Sequence, residues 1–352
     1  MKTIHVTASR EYDVCIAPGL LSECGERIAA VTGKCVAALV TESTVAPLYA
    51  EKVRASLSAA GFQVEQFVFS AGEESKNLST YTQVLEFLAE KRLSRSDILV
   101  ALGGGVVGDL GGFAAATYQR GIRFVQIPTT LLSAVDSSVG GKTAVDLPAG
   151  KNLVGSFYQP SLVLCDPETL STLPENVFQD GCAEVIKCAV LSGEEFFSAL
   201  EKTPISQQVE NVIARCITLK RDIVAEDEFD TGARRLLNFG HSVGHAIELC
   251  SAYSISHGSA VARGLAIIAA AAAQKGFCAP ETAARIKALL EKNGLPTTSP
   301  YSAQSLFRAS FADKKREGDK LRLVVPEAIG VCRVETIPAD DMLNWIKAGG
   351  VE

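Results

Sequence analysis

The chain has 352 residues, 47% of them hydrophobic, which is more apolar material than a single core usually takes up. Its formal charge of -6 and pI near 5.5 lack the basic excess that marks a nucleic-acid or anionic-membrane binder. Ten cysteines, scattered from Cys15 to Cys332 without a CxxC pair, exclude zinc-knuckle and thioredoxin-type motifs and predict free, mostly buried thiols in a reducing compartment.

KTIHVTA and YDVCIA open the chain as two short strands able to form a hairpin. Short β-branched runs then alternate with helical patterns: KCVAALVT (34–41), a helix over 45–60, FQVEQFVF (62–69), a helix over 77–92, DILVALG (97–103), a helix over 106–118 and IRFVQIP (122–128). That alternation predicts a parallel sheet with crossover helices. After LVLCD (162–166) the texture changes to Ala-, Glu- and Leu-rich periodic segments at 174–191, 205–227, 233–250, 258–275 and 280–292, which predict a helical domain. KLRLVVP and GVCRVE read as a hairpin attached to it. The expected division is an α/β domain over 1–167 and a mainly α-helical domain over 168–352. No apolar signal core opens the chain, and the longest apolar stretch, Gly264 to Ala273, is too short for a bilayer, so a cytoplasmic protein is expected.

Four groups of residues point to chemistry. In DILVALGGGVVGDLGGF, Gly103, Gly104, Gly105 and Gly108 fall where a strand ends and a helix begins, so backbone amides and the helix dipole can face a pyrophosphate. The letters fit GxGxxG, but they follow the third strand of the unit and lack the acidic residue about twenty positions on, so a tight turn packing a helix on a sheet is the competing explanation. Glu42, Glu73, Lys76, Thr129 and Thr130 also follow strands, where ligands of open α/β sheets gather; taken singly, each is an ordinary cap or turn residue.

The histidines are more specific. Of four in the chain, three fall within seventeen residues: His241 and His245 in LNFGHSVGHAIE, and His257 in ISHGSAV. A spacing of four places the first pair on one helical face, and the third can return to it after a turn, which points to a metal or catalytic role. A catalytic metal with two histidines wants a carboxylate as well. The best candidate is Glu184 in DGCAEVIKCAV, with Lys187 one turn on; an ion pair on a solvated face is the alternative, but the flanking residues are apolar. Between the two halves, TTLLSAVDSSVGGKTAVDLPAGKNLVGSF offers Asp136, Lys142, Lys151 and Asn152 on what read as loops, and Lys220, Arg234, Asn238 and Lys314 add donors suited to an anionic substrate in a cleft between domains.

In order and spacing, GGGVVGDLGGF, QIPTTLLSAVDSSVGGKTAV, GKNLVGSFYQP, GCAEVIK, RRLLNFGHSVGHAIE, HGSAVARG and DKK closely resemble the 3-dehydroquinate synthase family over residues 40 to 335. The resemblance implies a Rossmann-like, NAD-binding α/β domain with a parallel sheet, followed by a mainly α-helical metal- and substrate-binding domain. It implies Glu184, His241 and His257 as ligands of Zn2+ or Co2+, and His245 as a substrate contact that transfers a proton. Glu42, Glu73, Lys76, Gly104, Gly105, Asp109, Thr129, Thr130, Asp136, Lys142, Lys151 and Thr172 match the family's NAD contacts. Lys142, Asn152, Lys187, Lys220, Arg234, Asn238 and Lys314 match substrate contacts, and Arg120 matches an arginine offered across a homodimer interface. The implied reaction is a phosphate elimination from a seven-carbon sugar-acid phosphate with NAD recycled, the departing phosphate taking the proton. Three positions depart from the pattern: Ser259 where Glu is general, Ser242 where Thr is commoner, and Glu42 where Asp is usual. The competing activities are another sugar phosphate cyclase and a metal-dependent polyol dehydrogenase; a non-catalytic NAD-binding scaffold would leave the metal positions without a use.

Overall fold

The β-branched runs of the first half assemble into a seven-stranded sheet, described here in a computed structural model that covers residues 1–310 and 319–352. Its strands are β1 (Lys2–Val6), β2 (Tyr12–Ile16), β3 (Val36–Glu42), β4 (Gln63–Phe69), β5 (Ile98–Gly103), β6 (Arg123–Pro128) and, last in sequence, β9 (Leu162–Cys165), in the order β1-β2-β9-β6-β5-β3-β4. The β1–β2 pair is the expected antiparallel hairpin, and every other pairing in the sheet is parallel. Helices α1 (Leu20–Thr32) and α2 (Glu51–Ala59) bury one face of the sheet, packing on Leu39, Val100, Leu102 and Val125. Helices α3 (Leu78–Glu90) and α4 (Gly105–Thr117) cover the other, packing on Ala38, Val40, Leu99, Ala101 and Phe124. Alternate residues of one strand thus enter two cores, which is why these strands are apolar throughout.

From β3 the chain goes outward to β4 and then crosses back to lay β5 on the other side of β3. The strand order therefore reverses between the carboxyl ends of β3 and β5, where Glu42 and Gly103 stand, the usual crevice for a ligand in such sheets.

The segment from Lys142 to Phe157, expected as loops, is an antiparallel hairpin of β7 (Lys142–Leu147) and β8 (Gly150–Phe157) outside the main sheet. Glycine-rich and polar, it lacks the apolar alternation that would have marked it; cross-strand pairing and the packing of β7 on α4 hold it.

The chain divides into two compact units, one of Met1–Leu173 with Lys220–Phe229 and one of Pro174–Leu219 with Asp230–Glu352. A single cut near residue 167 does not contain the return of Lys220–Phe229 to the first unit. Long-range polar contacts hold it there. Glu228 accepts from Ser9 N at 2.7 Å, Ser9 Oγ at 2.6 Å and Gln159 Nε2 at 2.9 Å, and Lys220 pairs with Asp136.

The second unit holds α5 (Glu175–Ser192), α6 (Glu194–Lys202), the first part of α7 (Val209–Glu226), α8 (His241–Cys250), α9 (His257–Gln274), α10 (Pro280–Lys292), α11 (Ala303–Ser310), the expected hairpin of β10 (Lys320–Ala328) and β11 (Val331–Pro338), and α12 (Met342–Ala348). Helix α9 is its centre, packed by α5, α8, α10 and α12 and buried along most of its length. Among the described residues no helix is long and apolar enough to cross a membrane, and all ten cysteines are free thiols. The helix expected over 233–250 is instead a 3-10 turn over Ala233–Asn238 and then α8, separated at Gly240, whose φ of +80° suits only glycine well.

Close backbone approach joins α8 to α9: a Cβ on Gly264 would stand 2.0 Å from the Gly240 carbonyl oxygen. Helix propensity alone makes Gly264→Ala stabilising by about 1 kcal/mol. The contact predicts the opposite sign, a loss of about 1–3 kcal/mol from overpacking, read as a lower urea midpoint. A raised midpoint would contradict this account of the packing.

Candidate active site

The buried stretch Gly181 to Val190 on α5 carries Glu184, whose side chain is 0% exposed, and Lys187, at 2%. Lys187 pairs with the carboxylate from one turn away, while the Nε2 atoms of His241 and His257 stand 3.4 and 3.3 Å from its Oε1. No donor among the described residues is aligned to hydrogen-bond either carboxylate oxygen of Glu184. A buried carboxylate with unsatisfied oxygens and two convergent imidazole nitrogens fits a divalent ion with an open coordination position.

Local structure aims each of these side chains. His241 is the first residue of α8, directly after the left-handed Gly240, and its Nδ1 lies 3.1 Å from the Phe239 carbonyl oxygen, which leaves Nε2 toward Glu184. His257 is the first residue of α9. There a Cβ on Gly258 would fall 2.2 Å from the Asp180 carbonyl oxygen, and the Asp180 carboxylate accepts from Ser256 Oγ at 2.6 Å and Ser259 N at 3.1 Å. Asp180 thus caps α9 from a position one turn before Glu184. His245, one turn after His241, has its ring centroid 5.4 Å from that of His241 and 6.3 Å from that of His257. The ligand atoms of Glu184, His241 and His257 lie within 4.8 Å of one another, and so do those of His245, Glu248 and His257.

Electrostatics favour an ionised carboxylate beside a neutral ring. Burial opposes ionisation of Glu184, but Lys187, His241 and His257 outweigh it and hold the group well below the usual carboxylate range. Burial also holds His241 well below the ordinary imidazole value, against the pull of Glu184. Burial disfavours charge on His257 too, yet the carboxylates of Glu184 and Glu248 raise it to about 10.

In the first unit, Lys76 is 4% exposed and its Nζ lies 2.6 Å from both Asp109 Oδ2 and Asn152 Oδ1. Burial works against its charge, but Asp109, Glu73 and Asp146 raise it above the ordinary lysine value. Lys151 Nζ stands 3.4 Å from Glu73 Oε1, and Asp146 holds the backbone N–H of Asn152, a residue with φ of +54°, at 2.7 Å. Five of the expected contact residues therefore form one cluster.

Gly104 caps α4 without a side-chain acceptor, and Thr129 Oγ1 is buried with no partner among the described residues. Open amides at a helix N-terminus and an orphaned hydroxyl at the switch point fit the pyrophosphate and hydroxyls of a dinucleotide. Both explanations offered for the glycine run have a place here. Gly104 and Gly105 open the helix, whereas Gly108 serves packing, its Cβ position being 2.6 Å from Gln126 Oε1.

Other expected residues lie elsewhere. Glu42 accepts from the amides of Thr44 at 2.6 Å and Val45 at 2.9 Å, a local cap at the end of β3. Thr130 Oγ1 shares a hydrogen bond of 2.8 Å with Ser133 Oγ, and Thr172 Oγ1 one of 2.6 Å with Tyr49 Oη. Asp136 is the partner of Lys220, and Lys142 opens β7. Arg234 is buried and shares the turn over Ala233–Asn238 with Asn238. Arg120 is exposed in a turn where Gln119, Arg120 and Gly121 all have positive φ. Lys314 lies outside the described residues. At Ser259, where the resemblance leads one to expect Glu, Arg263 Nη1 donates to Oγ at 2.5 Å. Asp180 and Glu248 were not singled out from the sequence, although each is spaced to share a face with a candidate ligand: Asp180 four before Glu184, Glu248 seven after His241.

Removing Lys76 would leave Asp109, a largely buried carboxyl that burial already pushes above the usual carboxylate range, without its ammonium partner. Lys76→Met is expected to cost about 1–3 kcal/mol at neutral pH, and Asp109→Asn in the same chain to recover part of it. Additive losses in urea unfolding would show that the two side chains are not coupled.

Two family models match the chain, 3-dehydroquinate synthase N-terminal over residues 66–180 and 3-dehydroquinate synthase C-terminal over residues 181–316. A 3-dehydroquinate synthase of Enterococcus faecalis is 42% identical over 358 aligned positions that span 100% of both chains. Among solved structures, 2-deoxy-scyllo-inosose synthase complexed with carbaglucose-6-phosphate, NAD+ and Co2+ superposes with a TM-score of 0.88 at 25% identity, covering 100% of each chain. The 2-epi-5-epi-valiolone synthase of Streptomyces hygroscopicus subsp. jinggangensis, with NAD+ and Zn2+ bound, does so with a TM-score of 0.88 at 26% identity over 99% of each chain. With both halves matched and a full-length relative at this identity, the chain belongs to the 3-dehydroquinate synthase family.

Proposed function

We propose that this protein converts 3-deoxy-D-arabino-heptulosonate 7-phosphate to 3-dehydroquinate and phosphate, a carbon–oxygen lyase step of the shikimate pathway. The observation that carries the reading is the convergence of His241 and His257 on the fully buried carboxylate of Glu184 in a chain of this family. When bound, NAD accepts and returns a hydride, and Zn2+ or Co2+ polarises hydroxyl and carbonyl oxygens as a Lewis acid.

The protein supplies position and charge. Glu184, His241 and His257 hold the ion. The Gly104–Gly105 amides, the Thr129 and Thr130 hydroxyls, and the group of Glu73, Lys76, Asp109 and Lys151 hold the cofactor, with Glu42, Asp136, Lys142 and Thr172 as further contacts. Lys220 and Arg234 meet the substrate carboxylate; Lys142, Asn152, Lys187, Asn238 and Lys314 orient its hydroxyls and phosphate. Burial supports this use of Arg234, because a guanidinium away from water binds a carboxylate strongly and in a fixed plane. His245 moves a proton at its imidazole. The acting form is a cytoplasmic homodimer to which Arg120 contributes from one protomer toward its partner; a monomer with full activity by light scattering would exclude that part of the reading.

With trace NAD and saturating metal, the purified chain is expected to release many phosphates per NAD and equal amounts of dehydroquinate, and to stop on addition of a chelator. His245→Ala should retain the ion by elemental analysis and lose about 10²–10⁴-fold in kcat, whereas His241→Ala should lose the ion itself. NAD consumed in proportion to product, with no phosphate released, would indicate a polyol dehydrogenase instead.

A further inference from the structure

His257 stands between two carboxylates. Its Nε2 faces Glu184 Oε1 at 3.3 Å and its Nδ1 faces Glu248 Oε2 at 3.4 Å. An ion could in principle be held at either nitrogen, because both carboxylates belong to groups of close ligand atoms. His241 breaks the tie. Its Nδ1 is engaged by the Phe239 carbonyl, so its Nε2 converges with that of His257 on the same Glu184 oxygen, and both oxygens of Glu184 lack an aligned donor. The ion therefore belongs on the Glu184 side, which leaves Nδ1–H of His257 to point at Glu248.

We propose that Glu248 is a positioning residue that accepts the Nδ1 proton of His257 and thereby presents Nε2 to the metal. The proposal rests on the reading of Glu184, His241 and His257 as the ligands. Glu248 suits the task because it is 2% exposed and seven residues after His241 on α8, so one helix supplies a ligand and the acceptor that orients another. The Phe239 carbonyl does the same for His241, which gives each ligand imidazole its own acceptor at Nδ1. Asp180 completes the arrangement from the backbone side through Ser256 and Ser259, fixing where the ring is attached while Glu248 fixes how it is turned. Outer partners of this kind typically affect metal affinity by about 10- to 100-fold.

The test titrates the metal-depleted full chain with Co2+, reading affinity by chelator competition and geometry by the visible d–d spectrum, with folding followed by circular dichroism. Glu248→Met, similar in volume but unable to accept, is expected to weaken Co2+ binding by about 10- to 100-fold and alter the spectrum. Glu248→Gln, whose amide oxygen still accepts from Nδ1–H, should restore most of the affinity and the original bands. Should the Met variant not fold, Glu248→Asp, one methylene too short to reach the ring, carries the same expectation. Wild-type affinity and spectrum in Glu248→Met or Glu248→Asp, with His241→Ala unable to bind, would overturn the positioning role and leave the ligand set standing. Two Co2+ per chain, the second lost in Glu248→Gln, would overturn it by making Glu248 a ligand. Wild-type Co2+ binding by His241→Ala would instead refute the ligand set on which the proposal rests.

Discussion

A carboxylate on the buried face of an apolar helix is the constraint that the second unit is built around. Glu184 has no exposed surface, and taking a carboxylate out of water costs on the order of several kcal/mol unless charge and hydrogen bonds replace the lost hydration. Its surroundings offset that cost: Lys187 and the two imidazoles lie close enough to keep it ionised, yet neither oxygen has an aligned donor. A site left in that state is suited to a divalent cation, which satisfies carboxylate lone pairs with no need for donors.

Bringing Glu184, His241 and His257 from three helices to such range demands backbones closer than ordinary side chains permit. Glycine supplies that at two points, where Gly264 meets the Gly240 carbonyl and where Gly258 meets that of Asp180. The first lays α8 on α9 and the second lays the start of α9 on α5, so the two contacts locate His241 and His257 relative to Glu184. The Ala-rich composition of α9 serves the same end: small side chains around a helix covered by four others let all of them come near. In the first unit the analogous device is Gly108, which seats α4 against β6 and leaves the helix N-terminus open at the switch point of the sheet.

Much of this was legible in the residues. Strands such as ILVALG and RFVQIP stand out because both faces are buried, which leaves no polar alternation to confuse the reading. The histidine cluster stood out because the chain has only four. What escaped depends on contacts distant in sequence. The β7–β8 hairpin carries little apolar signal of its own, so Lys142 and Asn152 read as loop residues. The return of Lys220–Phe229 to the first unit rests on Glu228 and Lys220 reaching residues between Ser9 and Gln159, which no local pattern encodes. Glu42 illustrates the reverse case: a strand-end carboxylate expected to face a ligand also closes its own turn, since an acidic side chain has the same reach to a nearby amide as to a ribose.

Extended X-ray absorption fine structure on the Zn2+-loaded chain tests most directly the claim that Glu184, His241 and His257 form the metal centre. The account predicts two imidazole nitrogens and one carboxylate oxygen from the protein at about 2.0–2.2 Å, with the remaining scatterer a light atom from solvent. A sulfur shell near about 2.3 Å, which would bring in one of the cysteines of α5, or three imidazoles with no carboxylate, would contradict it.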